Sequence, residues 1–112
     1  MRLTELEPRW LVKDGRRVGF IFRCPTRRQC WQSCFLASPP HREQWALFAE
    51  ALKGDDEDRE FGRHDVQGSR EGTHWSIEGE FENLTVRPSI DGSPGGNWHG
   101  FITNGEIVGG GV

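Results

Sequence analysis

Apolar and polar residues alternate over two stretches near the start of the chain, which is the pattern of half-buried β-strands. These stretches are residues 9–13 and 17–24, and the Asp14-Gly15 dipeptide between them favours a type I′ hairpin turn. A third β-favouring run, residues 30–37, follows a proline and a short polar segment. The first third of the chain is therefore predicted to form three strands.

One segment has the spacing of an amphipathic helix. Residues 41–54 carry a single apolar stripe, with Ser38 as the predicted N-cap, two prolines in the first turn and Gly54 as the stop. The stripe consists of Trp45, Phe48 and Leu52. The next residues, about 55–72, are acidic and glycine-rich with little to bury, which is typical of a flexible insertion.

Strand patterns return in the last third. Residues 73–81 and 83–90 are short β-favouring runs separated by a turn. Pro88 has no backbone N–H, so the second run is predicted at a sheet edge or to end there. Residues 98–108 are predicted to form a final hairpin around Asn104-Gly105.

Together these elements predict an α+β fold, a mainly antiparallel β-sheet of hairpins with one helix packed on it. The 112 residues suffice for one modest core, so residues 1–112 are interpreted as a single domain. Only 34% of the residues are hydrophobic, but five are Trp and seven are Phe. The aromatic side chains are therefore expected to carry the core.

Charge and composition narrow the classes of function. The formal net charge is −3, which argues against nucleic acid as a partner. No apolar run is long enough for a membrane span, and the N-terminus lacks a signal-peptide pattern, so a cytoplasmic protein is expected. An exposed edge strand near Pro88 would allow a homodimer.

The three cysteines are an odd number, which disfavours a fully paired disulfide framework. With a histidine they make a Cys₃His set for zinc: Cys24, Cys30, Cys34 and His99. If residues 30–34 are extended, Cys34 lies about 13 Å along the strand from Cys30 and one ion cannot reach both. A helical turn there would bring the two together. The alternative is that the thiols are buried as small hydrophobes.

Two tryptophan-histidine neighbours are candidates for an interaction site, His74-Trp75 and Trp98-His99. Adjacent residues on a strand point to opposite faces, so a buried Trp presents its His outward. Glycines around Trp98 are expected to let the backbone turn sharply and pack closely. The segment LTVRPSI contains the hydroxyls of Thr85 and Ser89 as candidate functional groups, but a serine after proline commonly stabilises a turn by bonding nearby backbone, which is the preferred interpretation.

Four motifs carry a family resemblance: TELEPRW at the start, FRCP at the end of a strand, LTVRPSI, and WHGFITNGEI near the end. Their order resembles a family of small uncharacterised proteins from bacteria, prophages and phages, a domain of unknown function. The resemblance implies a zinc site formed by Cys-Pro-x-Cys and a later Cys before the histidine. This chain departs from both patterns, since Cys30 follows Cys24 after five residues and Gly96 or Asn97 stands at the later position.

Two functions are predicted on these grounds. The first is a phage- or prophage-type module without catalytic activity that binds a host or phage protein, for example as an inhibitor of a host defence system. In that hypothesis no residue is catalytic. The alternative is a metal- or thiol-dependent hydrolase that uses His74 or His99 with a cysteine such as Cys34.

Overall fold

A computed structural model describes residues 1–53 and 66–109, and in that part the chain forms eight strands and one α-helix. The elements are β1 (Arg9–Lys13), β2 (Arg16–Arg23), β3 (Trp31–Phe35), α1 (His41–Ala51), β4 (Val66–Gln67), β5 (Ser76–Glu78), β6 (Thr85–Asp91), β7 (His99–Thr103) and β8 (Glu106–Val108). The predicted α+β class is confirmed, but the strands make two sheets, ordered β1-β2-β3-β4 and β5-β6-β7-β8.

The pairing is antiparallel throughout both sheets except between β3 and β4, which run parallel. The two predicted hairpins are confirmed. Asp14 and Gly15 have φ of 52° and 76°, and Asn104 and Gly105 have φ of 48° and 77°, the left-handed values that a type I′ turn requires.

Alternation along β2 divides the molecule into three layers. Phe20 and Phe22 point towards the second sheet, whereas Ile21 between them points towards α1. The first sheet therefore lies between the helix and the second sheet. One aromatic-rich cluster fills the space between the sheets and another fills the space under α1, so the prediction that aromatic residues carry the core is confirmed.

The helix begins later than predicted. Pro40 occupies the N-cap position and α1 starts at His41, whereas Ser38 is buried and donates its backbone N–H to the carbonyl of Thr73. The physical reason is that a residue before proline disfavours the helical region, so Ser38 and Pro39 stay outside the helix. The buried helix face consists of Gln44, Leu47 and Phe48.

The strand that contains Pro88 is an inner strand and continues past the proline, so the prediction of a sheet edge or a strand end there is wrong. This strand is β6, which pairs with β5 on one side and β7 on the other. The register between β6 and β7 is irregular from Val86 to Ile90. The hydrogen-bond ladder is interrupted there, so the missing N–H of proline is tolerated.

Most of the predicted insertion, together with Gly54, falls on residues 54–65, which lie outside the described residues. Its remaining part includes β4, which adds to the edge of the first sheet beside β3. Among residues 1–53 and 66–109, no helix is both long and apolar enough to cross a membrane.

The N-terminal residues contact the last hairpin. Leu3 donates its backbone N–H to the carbonyl of Gly105 at 2.8 Å, and Ile107 donates to the carbonyl of Met1 at 2.8 Å. Arg2 also pairs with Glu106, with 2.7 Å between Nη1 and Oε1. The N-terminal residues therefore bind β8 and cover part of the edge of the second sheet.

Candidate active site

Trp98 and His99 point in opposite directions, as predicted. Trp98 is only 3% exposed and packs edge-on against Phe22, whereas His99, the first residue of β7, lies on the exposed face of the second sheet. Gly100 makes the close packing feasible, because a Cβ there would stand 2.4 Å from Cζ2 of Trp98. The buried side chain of Trp98 and its close packing against Gly100 thus fix the backbone on both sides of His99.

A glutamine from the first sheet holds this segment. Gln32 is buried in β3; its Nε2 donates to the carbonyl of Trp98 at 3.1 Å, and its Oε1 accepts from the N–H of Trp98 at 3.2 Å. A side-chain amide bonded twice to one residue fixes that residue's position and orientation. Gln32 therefore sets where β7, and with it His99, begins.

Asp91 lies directly opposite His99, as the last residue of β6. The next pair along the strands is joined by a hydrogen bond from the N–H of Gly92 to the carbonyl of Trp98. Hydrogen-bonded and non-hydrogen-bonded pairs alternate, so Asp91 and His99 form a non-hydrogen-bonded pair, with Cα atoms about 4.5 Å apart and side chains close together. The carboxylate and the imidazole are therefore neighbours.

The carboxylate of Asp91 is held in its charged form. Ser93 donates to its Oδ1 twice, from Oγ at 2.6 Å and from the backbone N–H at 3.0 Å. The Ser93 hydroxyl, then its backbone N–H, and to a smaller extent the charge of His99 lower the pKa of Asp91. Both bonds from Ser93 use the same oxygen of the carboxylate, Oδ1.

Ser89 shares this face. It precedes Asp91 by two residues on β6, and the buried Ile90 between them points into the core, so the side chains of Ser89 and Asp91 project outward together. Nε1 of Trp75 donates to the carbonyl of Ser89 at 3.3 Å, which ties the backbone there to the loop before β5. A serine, a histidine and a carboxylate thus lie together on one exposed surface.

The other described serines of the second half of the chain are placed differently. Ser69 is buried, and its hydroxyl bonds with Ser33. Ser76 is exposed on β5, one strand further from His99, and Ser93 uses its hydroxyl on Asp91. Ser89 is therefore the serine whose position beside His99 fits a nucleophile with an adjacent base.

The cysteines lie elsewhere. Cys24 donates its backbone N–H to the carbonyl of Cys30 at 2.8 Å, and Cys34, on β3, pairs with Phe20. Since β3 is extended, Cys34 lies about 13 Å along the strand from Cys30. Within the described residues, no group of three or more His, Cys, Asp and Glu side chains is arranged to hold a metal ion. The zinc site of Cys24, Cys30, Cys34 and His99 stays a prediction.

The thiol of Cys34 is a poor nucleophile. It is fully buried, and burial raises its pKa well above the ordinary value, so the thiol stays protonated at neutral pH. His74, its other suggested partner, is exposed in the loop that precedes β5. Of the predicted interaction residues, Trp75 contacts the backbone of Ser89, Trp98 is buried, and His99 faces outward.

The protein thus has an α+β fold and carries a serine, a histidine and an aspartate on one face of its second sheet. These are the side chains that serine-dependent hydrolases use. A family model for BubE, described as a bacterial ubiquitination-like system serine protease, matches residues 59–109. That segment is less than half of the chain and contains Ser89, Asp91 and His99. The match supports the resemblance to a bacterial family of small proteins, while the phage and prophage origin stays a prediction.

The match corrects the functional prediction. The prediction of a protein-interaction module without catalytic activity is wrong, because the matching family is described as a serine protease. Comparisons with curated proteins and with solved structures find no match to this chain.

Proposed function

We propose that this protein is a serine-dependent protease of a bacterial ubiquitination-like system, with a ubiquitin-like protein or its conjugate as substrate. The observation that carries the proposal is the position of Ser89, Asp91 and His99 on one exposed face, within the segment that matches the protease family. We also propose a cytoplasmic setting, because the three cysteines are free and buried.

The three side chains have distinct roles in the proposed reaction. Oγ of Ser89 attacks the carbonyl carbon of the scissile bond while its proton passes to the imidazole of His99. His99 then gives that proton to the leaving amine, and an acyl-serine ester remains. Water, activated by His99, hydrolyses the ester and restores Ser89. The carboxylate of Asp91 stabilises the imidazolium that forms in each step.

Neighbouring residues support these roles because a hydrogen bond positions each of the three groups or the residue next to it. Gln32 fixes the residue before His99, Ser93 fixes the carboxylate of Asp91, and Trp75 fixes the backbone of Ser89. Groups that are held in place before the substrate arrives lose less entropy during the reaction. These three bonds therefore restrict the positions of the groups that carry the proposed reaction.

A cleavage assay tests the proposal. The substrate is a ubiquitin-like protein of such a system, fused through its C-terminus to a reporter protein. Ser89→Ala is expected to lower the cleavage rate by about 10³-fold or more, since the remaining groups retain only the residual rate of a site without its nucleophile. His99→Gln is expected to have a similar effect, because the base is lost.

Ser76→Ala is the matched control, because Ser76 is exposed on the same sheet but lies on β5, two strands away from His99 on β7. It should cleave as fast as the unmodified protein. Equal rates in Ser89→Ala and the unmodified protein, with both folded, would contradict the assignment of Ser89.

A further inference from the structure

The exposed face beside Ser89 carries an apolar surface that the core does not use. Phe101 and Val108 are 49% and 45% exposed, and they are register partners on β7 and β8. Phe101 follows His99 by two residues, so both side chains lie on the same face. A large aromatic ring in water beside a nucleophile offers a surface on which a substrate side chain can be buried.

A depression runs along β6 and β7 from this point. It is lined by Thr85, Val86, Arg87, Pro88, Phe101 and Thr103. Pro88 directly precedes Ser89 in the chain, so the depression lies beside the proposed nucleophile, which is not among its lining residues. All of the lining residues belong to the adjacent strands β6 and β7.

One cation lies in this depression without a partner in the described residues. Arg17 pairs with Glu80 and Arg2 with Glu106, whereas Arg87 makes no hydrogen bond or ion pair within the described part of the chain. It is exposed, and it precedes Ser89 by two residues in the chain, within the stretch where the register between β6 and β7 is irregular.

We infer that the substrate segment binds along β6 and β7 with an apolar side chain on Phe101 and an acidic side chain opposite Arg87. Charge complementarity supplies the acidic preference. Arg87 and Ser89 are two residues apart in the chain, a reach of at most about 7 Å, so the acidic residue is placed within about three positions of the scissile bond. The inference rests on the proposed function, since it takes Ser89 as the point of cleavage. It makes Arg87 and Phe101 determinants of specificity.

Paired fluorogenic peptides test the inference. The two peptides of a pair contain the same leucine and differ at one position, which is Asp in one peptide and Lys in the other. Successive pairs place this variable position at each of the three residues on either side of the cleaved bond. At the preferred position the unmodified protein is expected to cleave the Asp peptide with a kcat/KM about fivefold above that of the Lys peptide, the upper range for one exposed ion pair. Arg87→Glu should reverse the preference, and Phe101→Ala should raise KM for both peptides.

Arg42→Glu is the matched control, because it makes the same change of charge at an exposed position of α1. It should keep the preference for Asp. Equal cleavage of both peptides at every position by the unmodified protein, or an unchanged preference in Arg87→Glu, would overturn the inference and leave the protease assignment standing. Cleavage that persists at the same rate in Ser89→Ala would instead contradict the proposed function, and the inference with it.

Discussion

At the scale of single residues, the proposed chemistry depends on how Asp91 is held opposite His99. The carboxylate is exposed, so desolvation is a small effect, and the hydroxyl of Ser93 is the main cause of its lowered pKa. Ser93 thus keeps Asp91 ionised and fixes its orientation. The bond from the backbone N–H of Ser93 to the side chain of Asp91, two residues earlier, is that of an Asx-turn, here at the end of β6.

The state of Asp91 can be measured. Its pKa, followed by NMR titration of the side-chain carboxyl carbon, is expected below the ordinary value of 3.8. Ser93→Ala should raise it towards that value because the largest stabilising bond is lost, whereas His99→Gln should raise it less. A pKa that does not change in Ser93→Ala would contradict this account of the carboxylate.

The sign of the effect on stability follows from linkage. A carboxyl group whose pKa is lower in the folded state stabilises the fold at pH values above its unfolded pKa. That contribution is lost as the pH falls through the folded pKa. The difference in the free energy of unfolding between the unmodified protein and Asp91→Asn should therefore shrink below about pH 4, near the ordinary carboxyl pKa.

At the scale of elements, α1 is joined to the edge of the first sheet by a buried polar side chain. Gln44 donates from Nε2 to the carbonyls of Ser69 and Pro39, at 2.7 and 2.8 Å, and its Oε1 accepts from the N–H of Ser69 at 2.9 Å. These three bonds hold the residues that follow β4 against the helix. A polar residue in a buried helix face is stable only when its bonds are made.

Gln44→Ala is expected to lower the free energy of unfolding by about 1–3 kcal/mol, because it leaves a buried N–H and two carbonyls without a partner. Denaturant unfolding measures the change. Glu50→Ala, at an exposed position of the same helix, is the control and should stay within about 0.5 kcal/mol of the unmodified protein. Equal stability of the two variants would show that the bonds of Gln44 contribute little.

The elements differ in how well their sequences predict them. Asp14-Gly15 and Asn104-Gly105 define hairpins because their backbone angles are a local property. Two-residue β4 has no periodic signal, and its parallel pairing with β3 depends on contacts distant in sequence. Pro88 misled the prediction because a local rule places proline at edges, whereas the irregular register between β6 and β7 accommodates it inside the sheet.

The candidate site shows the same division. Alternation predicted that Trp98 is buried and His99 exposed, and the two-residue spacing of Ser89 and Asp91 already implies a shared face. The pairing of Asp91 with His99 could not be predicted, since it depends on the register across the loop between β6 and β7. Gln32 was missed for a related reason, because its partner Trp98 lies in the other sheet.

At the scale of the whole molecule, the two sheets have different roles. The first sheet is covered by α1 on one face and by the second sheet on the other. Its Gln32 bonds with the backbone of Trp98, the residue before His99. The second sheet exposes its outer face, which carries the proposed nucleophile, base and carboxylate. The segment that matches the protease family contains all of the second sheet, and it is there that we place the chemistry.

The most direct test of that placement is covalent labelling of the folded protein with a fluorophosphonate, which reacts with activated serine hydroxyls, followed by peptide mapping. The label is expected on Ser89, whereas Ser76 should stay unmodified, and labelling should be strongly slowed in His99→Gln because the base is missing. Label on another serine, or labelling of Ser89 that is unaffected by the loss of His99, would contradict it.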